Sequence, residues 1–112
     1  MRFYGLKSCD TCKKAQKALT AAGRDFEVVD VRADGVPADL LADWLEKVGS
    51  DALINRRSTT WRGLSEAEKD AAAGEGAAAL LAEHPTLMKR PVIVAEGAVH
   101  VGWTKEVQAA LL

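Results

Sequence analysis

Apolar residues at Phe3, Tyr4 and Leu6 form a short run, after which they recur at Ala15, Ala18, Leu19 and Ala22. The change from a compact run to spacings of three and four predicts a buried strand over Arg2–Leu6. It also predicts an amphipathic helix over Asp10–Ala22, with Gly23 placed to end it. Phe26–Val31 is β-rich and partly alternating, which predicts a second strand. A strand–helix–strand unit makes the two strands parallel neighbours. Pro37 then suits a first helical position, and Leu41, Trp44, Leu45 and Val48 keep helical spacing up to a stop at Gly49.

Asp51–Asn55 adds a helical turn, and the polar, β-branched segment Arg56–Arg62 shows no single period. Ser65 and Glu68 have the spacing of a capping box, which starts a helix running to about Ala73. Gly74-Glu75-Gly76 breaks it, and Ala77–Glu83 forms another short helix closed before Pro85, with Leu64, Leu80 and Leu81 as apolar anchors. Pro91–Ala95, a turn at Glu96-Gly97 and Val99–Trp103 predict a β-hairpin. Alternation puts Val99 and Val101 on one face of its second strand and His100 on the other. A last helix over Lys105–Leu111 covers the sheet. The pattern has no repeat or linker, so we expect one domain over residues 1–112. Its order matches a thioredoxin-like α/β architecture, a mixed four-stranded sheet flanked by helices with a helical insertion between strands two and three.

An apolar content of 48% and a charged content of 28% are those of a soluble globular protein. The net charge of −1 hides basic segments at Lys7–Lys17, Arg56–Arg62 and Lys89-Arg90, and mainly acidic ones at Asp34–Glu46 and Glu66–Glu83. Brought together, the basic segments would make an anion-attracting surface. Neither the charge balance nor any motif points to nucleic acid. No run of about 18 apolar residues exists, and charge and glycine interrupt the N-terminus at once, so neither a membrane span nor a signal peptide is expected. The expectation is a cytoplasmic monomer.

Both cysteines fall in Lys7-Ser8-Cys9-Asp10-Thr11-Cys12-Lys13-Lys14, at the turn from first strand to first helix. Unpaired helix N–H groups and the positive end of the dipole meet there, and both favour thiolate over thiol, so Cys9 is the candidate nucleophile. Cys12, one turn on, is placed either to attack a mixed disulfide on Cys9 or to donate a weak S–H hydrogen bond to its thiolate. Lys7, Lys13 and Lys14 add positive charge in sequence. Zinc needs four ligands, and His84 and His100 lack the spacing to complete a site. The charged flanks argue against deep burial of the two thiols. Thr11 is placed to orient the Cys9 thiolate or simply to fill the first turn. Trp44 and Trp103 are expected in the core, Trp61 lies between basic residues, and both histidines are expected to be solvated.

Cys9-Asp10-Thr11-x-Lys13-Lys14-Ala15, Ala52-Leu53-x-Asn55-x-Arg57-x-Thr59-Thr60-Trp61-Arg62 and Lys89-Arg90-Pro91 together resemble the ArsC/Spx/YffB family over nearly the whole chain, and most closely its YffB-like branch. The resemblance implies an ArsC-type thioredoxin-like fold, a catalytic set of Cys9, Cys12 and Arg90, and a substrate set of Thr11, Lys13, Arg57, Arg90 and Pro91. It also implies that Pro91 is cis and faces the nucleophile. The implied activity is thiol-disulfide oxidoreduction with no bound cofactor, with glutathione as co-substrate or glutaredoxin as partner. Arsenate reduction is the first alternative. Asn55 and Gly102 stand where the glutaredoxin-coupled arsenate reductases use two arginines, with Arg57 displaced by two residues, and this departure weighs against it. The Spx branch implies a redox-sensing regulator bound to the RNA polymerase α subunit. Cys9, Cys12, Arg57 and Arg90 also match that branch, and Gly49 falls where it uses a glycine against the subunit, although a glycine past a helix end is also an ordinary cap.

Overall fold

The computed structural model describes residues 1–112. They divide into two compact units, Met1–Asp34 with Arg90–Leu112, and Gly35–Lys89. The first holds strands β1 (Arg2–Gly5), β2 (Glu27–Asp30), β3 (Val92–Ala95) and β4 (Ala98–Val101), with helices α1 (Asp10–Ala21) and α7 (Lys105–Leu111). The strand order is β2-β1-β3-β4, parallel between β1 and β2 and antiparallel elsewhere, a mixed thioredoxin-like sheet flanked by helices.

Register explains the core of this unit. Phe3 pairs with Ile93, and both share a buried cluster with Cys12, Ala15 and Leu19 of α1 and with Val107 and Leu111 of α7. One sheet face thus meets the apolar stripes of two helices, while Phe26 stacks at a tilt on Phe3 with ring centroids 5.8 Å apart. Gly23 closes α1 as predicted: with φ +75 it donates to the Thr20 carbonyl while the Arg24 N–H reaches that of Leu19, both at 3.0 Å. In the hairpin, Glu96 and Gly97 both take positive φ, the geometry of a turn whose twist matches the flanking strands.

The second unit is helical: α2 (Ala38–Val48), α3 (Ser50–Leu53), α4 (Thr59–Arg62), α5 (Glu66–Ala72), α6 (Ala77–Glu83) and a 3-10 turn at Pro85–Leu87. Trp44, Leu41, Leu53, Ile54, Leu81, Leu87 and Met88 are its largest fully buried side chains. Helix α2 packs chiefly on α6. The periodless segment Arg56–Arg62 resolves into a turn and α4, because the Ser58 hydroxyl accepts the Trp61 N–H at 3.1 Å and caps a helix too short to show a period. The Ser65–Glu68 capping box forms in both directions. Asn55 N–H to Leu87 O at 2.8 Å and Lys89 N–H to Leu53 O at 2.7 Å flank an isolated bridge between Ile54 and Met88.

Candidate active site

Cys9 is the N-cap of α1 in extended conformation, and its sulfur accepts the Cys12 N–H at 3.4 Å. The Cys9 carbonyl already accepts the Lys13 N–H at 3.0 Å, so the residue satisfies helix donors through both backbone and side chain. A thiol in that role gains by becoming a thiolate. Burial alone would push Cys9 up, but the side chain and N–H of Cys12, then the hydrogen bond and charge of Arg90, outweigh it and hold Cys9 below the usual thiol range. Cys12 behaves in the opposite way. Burial pushes it up to about 12, and the neighbouring Cys9 adds to the rise against the lowering effects of a Leu6 backbone hydrogen bond and of Arg90.

Arg90 and Pro91 lead directly into β3. The Arg90–Pro91 peptide is cis, Pro91 is buried, and its carbonyl accepts the Gly102 N–H at 2.8 Å. Gly102, at φ +82, turns the chain from β4 towards Trp103 and Thr104, whose hydroxyl caps α7. The structure therefore brings Cys9, Cys12 and Arg90 together in the first unit. A partly exposed thiolate at a helix N-terminus beside a guanidinium can attack a disulfide sulfur and hold an anion next to it.

Several expectations need correction. Cys12 has 0% exposure despite its charged flanks, because Cys12 and Ala15 lie on the inner row of α1 while Lys13 and Lys14 point outward. The cation acting on Cys9 is Arg90, whereas Lys7, also exposed, acts on Asp30. Thr11 and Lys13 keep their expected places on the first turn, both exposed, and the amide that meets the Cys9 sulfur is that of Cys12. Arg57 belongs to the second unit, exposed on a turn where its N–H donates to Asn55 Oδ1 at 3.1 Å. Trp103 is half-buried against the first unit's core rather than inside it. His84 is not simply solvated, for its Nε2 lies 3.3 Å from Glu68 Oε2. Trp61 is flanked by cations of its own unit, Arg56 at 5.4 Å and Lys69 at 5.9 Å from the ring centroid.

Gly5 escaped the sequence reading. A Cβ on it would sit 2.8 Å from the Cys12 sulfur and 3.0 Å from Phe3 Cε1, so the bare backbone of β1 is the wall against which Cys12 rests. The signal was present, since an isolated glycine in a strand pattern marks a close approach.

Fold and site define a thioredoxin-like protein with a cysteine at the first helix N-cap, and residues 4–111 match the ArsC family. The chain belongs to that family. An uncharacterized protein of Haemophilus influenzae is 44% identical over 108 residues, covering 96% of this chain and 95% of the relative. The global transcriptional regulator Spx 2 of Lactococcus lactis is 30% identical over 112 residues, covering 98% of this chain and 84% of the regulator. Among solved structures, a YffB protein superposes with a TM-score of 0.87 at 34% identity, covering 99% of this chain and 97% of its own. An arsenate reductase-related protein from Brucella melitensis gives 0.76 at 34% identity, covering 97% and 91%. No helix is long and apolar enough to cross a membrane.

Proposed function

We propose that the protein is a glutathione-dependent thiol-disulfide oxidoreductase with Cys9 as nucleophile. The observation that carries this is the Cys9 sulfur at the mouth of α1, partly exposed and held below the usual thiol pKa by Cys12 and Arg90. In the forward step the Cys9 thiolate attacks the glutathionyl sulfur of a mixed disulfide, the S–S bond breaks, and the other thiolate leaves and takes up a proton. A second thiol then attacks the Cys9-bound sulfur, regenerating the Cys9 thiolate and carrying the disulfide away. Arg90 holds the anionic part of the bound thiol, with Pro91 shaping the floor, and Thr11 and Lys13 are the further substrate contacts we assign. The departure at Asn55 and Gly102 makes arsenate the weaker substrate.

The test is to incubate the reduced protein with oxidised glutathione and weigh it intact. One glutathione on Cys9, absent in Cys9→Ser, together with turnover of a glutathionylated substrate, is the expected result. An unmodified Cys9 would sink the reading.

The identity to Spx 2 favours a second reading, a redox-sensing regulator that binds the polymerase α subunit. It requires binding to the α C-terminal domain without turnover.

A further inference from the structure

The sheet has two outer strands, β2 and β4, and they are finished differently. Every second residue of an edge strand turns its N–H and C=O away from the sheet. On β2 the Glu27 N–H meets the Met1 carbonyl and the Val31 N–H meets that of Gly5, so Val28 and Asp30 face outward. Asp30 is closed off: its N–H donates to Asp34 Oδ2 at 3.2 Å, and its carbonyl accepts the Asp34 N–H at 2.9 Å. Only Val28 keeps an open backbone there, flanked by the acids Glu27 and Asp30.

Strand β4 has no such stop. The two-residue turn Glu96-Gly97 makes Ala95 and Ala98 a hydrogen-bonded pair, and the Gly102 N–H on the Pro91 carbonyl fixes the same alternation at the other end. Ile93 and His100 therefore bond each other, and Val99 and Val101 turn both backbone groups outward. No hydrogen bond from elsewhere in the chain reaches those groups, whereas the carbonyl of Trp103, just past the strand, is taken by the Gln108 side chain at 3.2 Å. Residues 98–102 include no Lys, Arg, Asp or Glu, the side chains by which edge strands keep neighbours away.

Against the expectation of a monomer, we propose that β4 is a self-association edge, on which a second copy of this chain lays its own β4 antiparallel. The occupant follows from the pattern of donors and charges. Centred on His100, this register sets Val99 of each copy against Val101 of the other, and each such pair exchanges two N–H···O bonds, so every open group finds a partner. The side chains that meet there are β-branched and neutral. The same operation on β2 would bond Val28 alone and bring the Glu27 and Asp30 carboxylates of both copies to one seam. On β4 the seam ends with Ala98 of the second copy opposite Gly102, whose N–H holds the Pro91 carbonyl, so it borders the candidate active site. One short strand a side is far below the roughly 20–30 residues of a standard interface, so the pair dissociates on dilution.

Sedimentation equilibrium under reductant, which removes any dimer linked through Cys9, tests this. The weight-average mass of the wild type should rise by half or more between about 10 μM and about 1 mM, the rise that a Kd of about 1 mM produces. Over that range the amide resonances of Val99 and Val101 should shift, and that of Val28 should not. Val99→Pro removes an outward N–H without touching the β3–β4 ladder, and should hold the chain at the mass of one copy. His100→Lys and His100→Glu each set like charges across the seam, so each alone should stay single while their equimolar mixture pairs. A single-copy mass for the wild type throughout would overturn the proposal and leave the edge to an extended segment of another protein. So would a mass rise that shifts Val28 instead, one that survives in Val99→Pro, or His100 variants that associate equally alone and mixed. The wild-type mass and shifts decide even where a variant fails to fold.

Discussion

At the scale of single residues, two chemically identical thiols three positions apart are driven in opposite directions by where the helix places them. Cys12 is raised to about 12, so above the ordinary thiol pKa the unfolded chain gives up a proton that the folded chain keeps. The stability owed to its neutral form is complete below the unfolded pKa and is lost as pH rises towards about 12. Cys9 is lowered, so its contribution is complete above the unfolded thiol pKa and is lost as pH falls through the folded one. Denaturant melts at successive pH values above about 9 should therefore show the wild type losing stability faster than Cys12→Ala. Removing Arg90 tests the other side of the pair. In Arg90→Met the Cys9 titration should move up, because the hydrogen bond and the charge of Arg90 that favour the thiolate are lost while the contacts from Cys12 remain. Arg90→Lys should fall between, keeping the charge and losing the planar fork. The place of Cys9 at the helix N-terminus was legible because helix-terminal chemistry is local. Of the cations, the flanking lysines point outward along α1, and the one that acts on Cys9 is Arg90, just before β3 and far off in sequence, named by the family resemblance rather than by the local pattern.

At the scale of elements, periodicity and caps read well, and close approaches read poorly. The Ser65–Glu68 box was visible as a spacing because both hydrogen bonds lie within one turn. Ser65→Ala should cost about 1 kcal/mol, seen as an earlier thermal unfolding midpoint with little effect on Cys9 reactivity. Gly5 was not visible as a necessity, because its reason is the Cys12 sulfur on another element. We expect Gly5→Ala to cost about 1–3 kcal/mol, the range for adding a methylene to a packed core, and to disturb Cys9 reactivity by displacing Cys12. Cys12→Ala in the Gly5→Ala background should recover part of that loss, since the colliding sulfur is gone; a double-mutant cycle in urea measures the coupling. Helix α4 marks the opposite limit. With four residues and a hydroxyl cap it carries no period to detect, and the Ser58–Trp61 hydrogen bond marks its start.

At the scale of the whole molecule, the parallel β1–β2 pair and the β3–β4 hairpin were legible in the pattern, whereas the antiparallel β1–β3 contact that joins them was not, nor was the placement of Arg57, which rests on a helical insertion without a strong period. The sharpest whole-molecule question is whether the chain acts as an enzyme or as a polymerase-binding regulator, and Gly49 is where the two separate. It ends α2 by donating to the Leu45 carbonyl at 2.8 Å and begins α3 by accepting the Leu53 N–H at 3.3 Å, with φ +82 and ψ 158. That backbone is nearly confined to glycine, and any side chain there costs about 1–3 kcal/mol even though a Cβ would meet nothing within 4 Å. Loss of polymerase binding in Gly49→Arg would by itself confuse a lost contact with a strained joint. Gly49→Ala supplies the strain without the bulk. For the oxidoreductase reading, both variants should unfold at lower denaturant than wild type, should still take up glutathione at Cys9, and should resemble the wild type in failing to retain the α C-terminal domain. A regulator would instead bind that domain as wild type and as Gly49→Ala, lose it as Gly49→Arg, and turn over no glutathionylated substrate in any form.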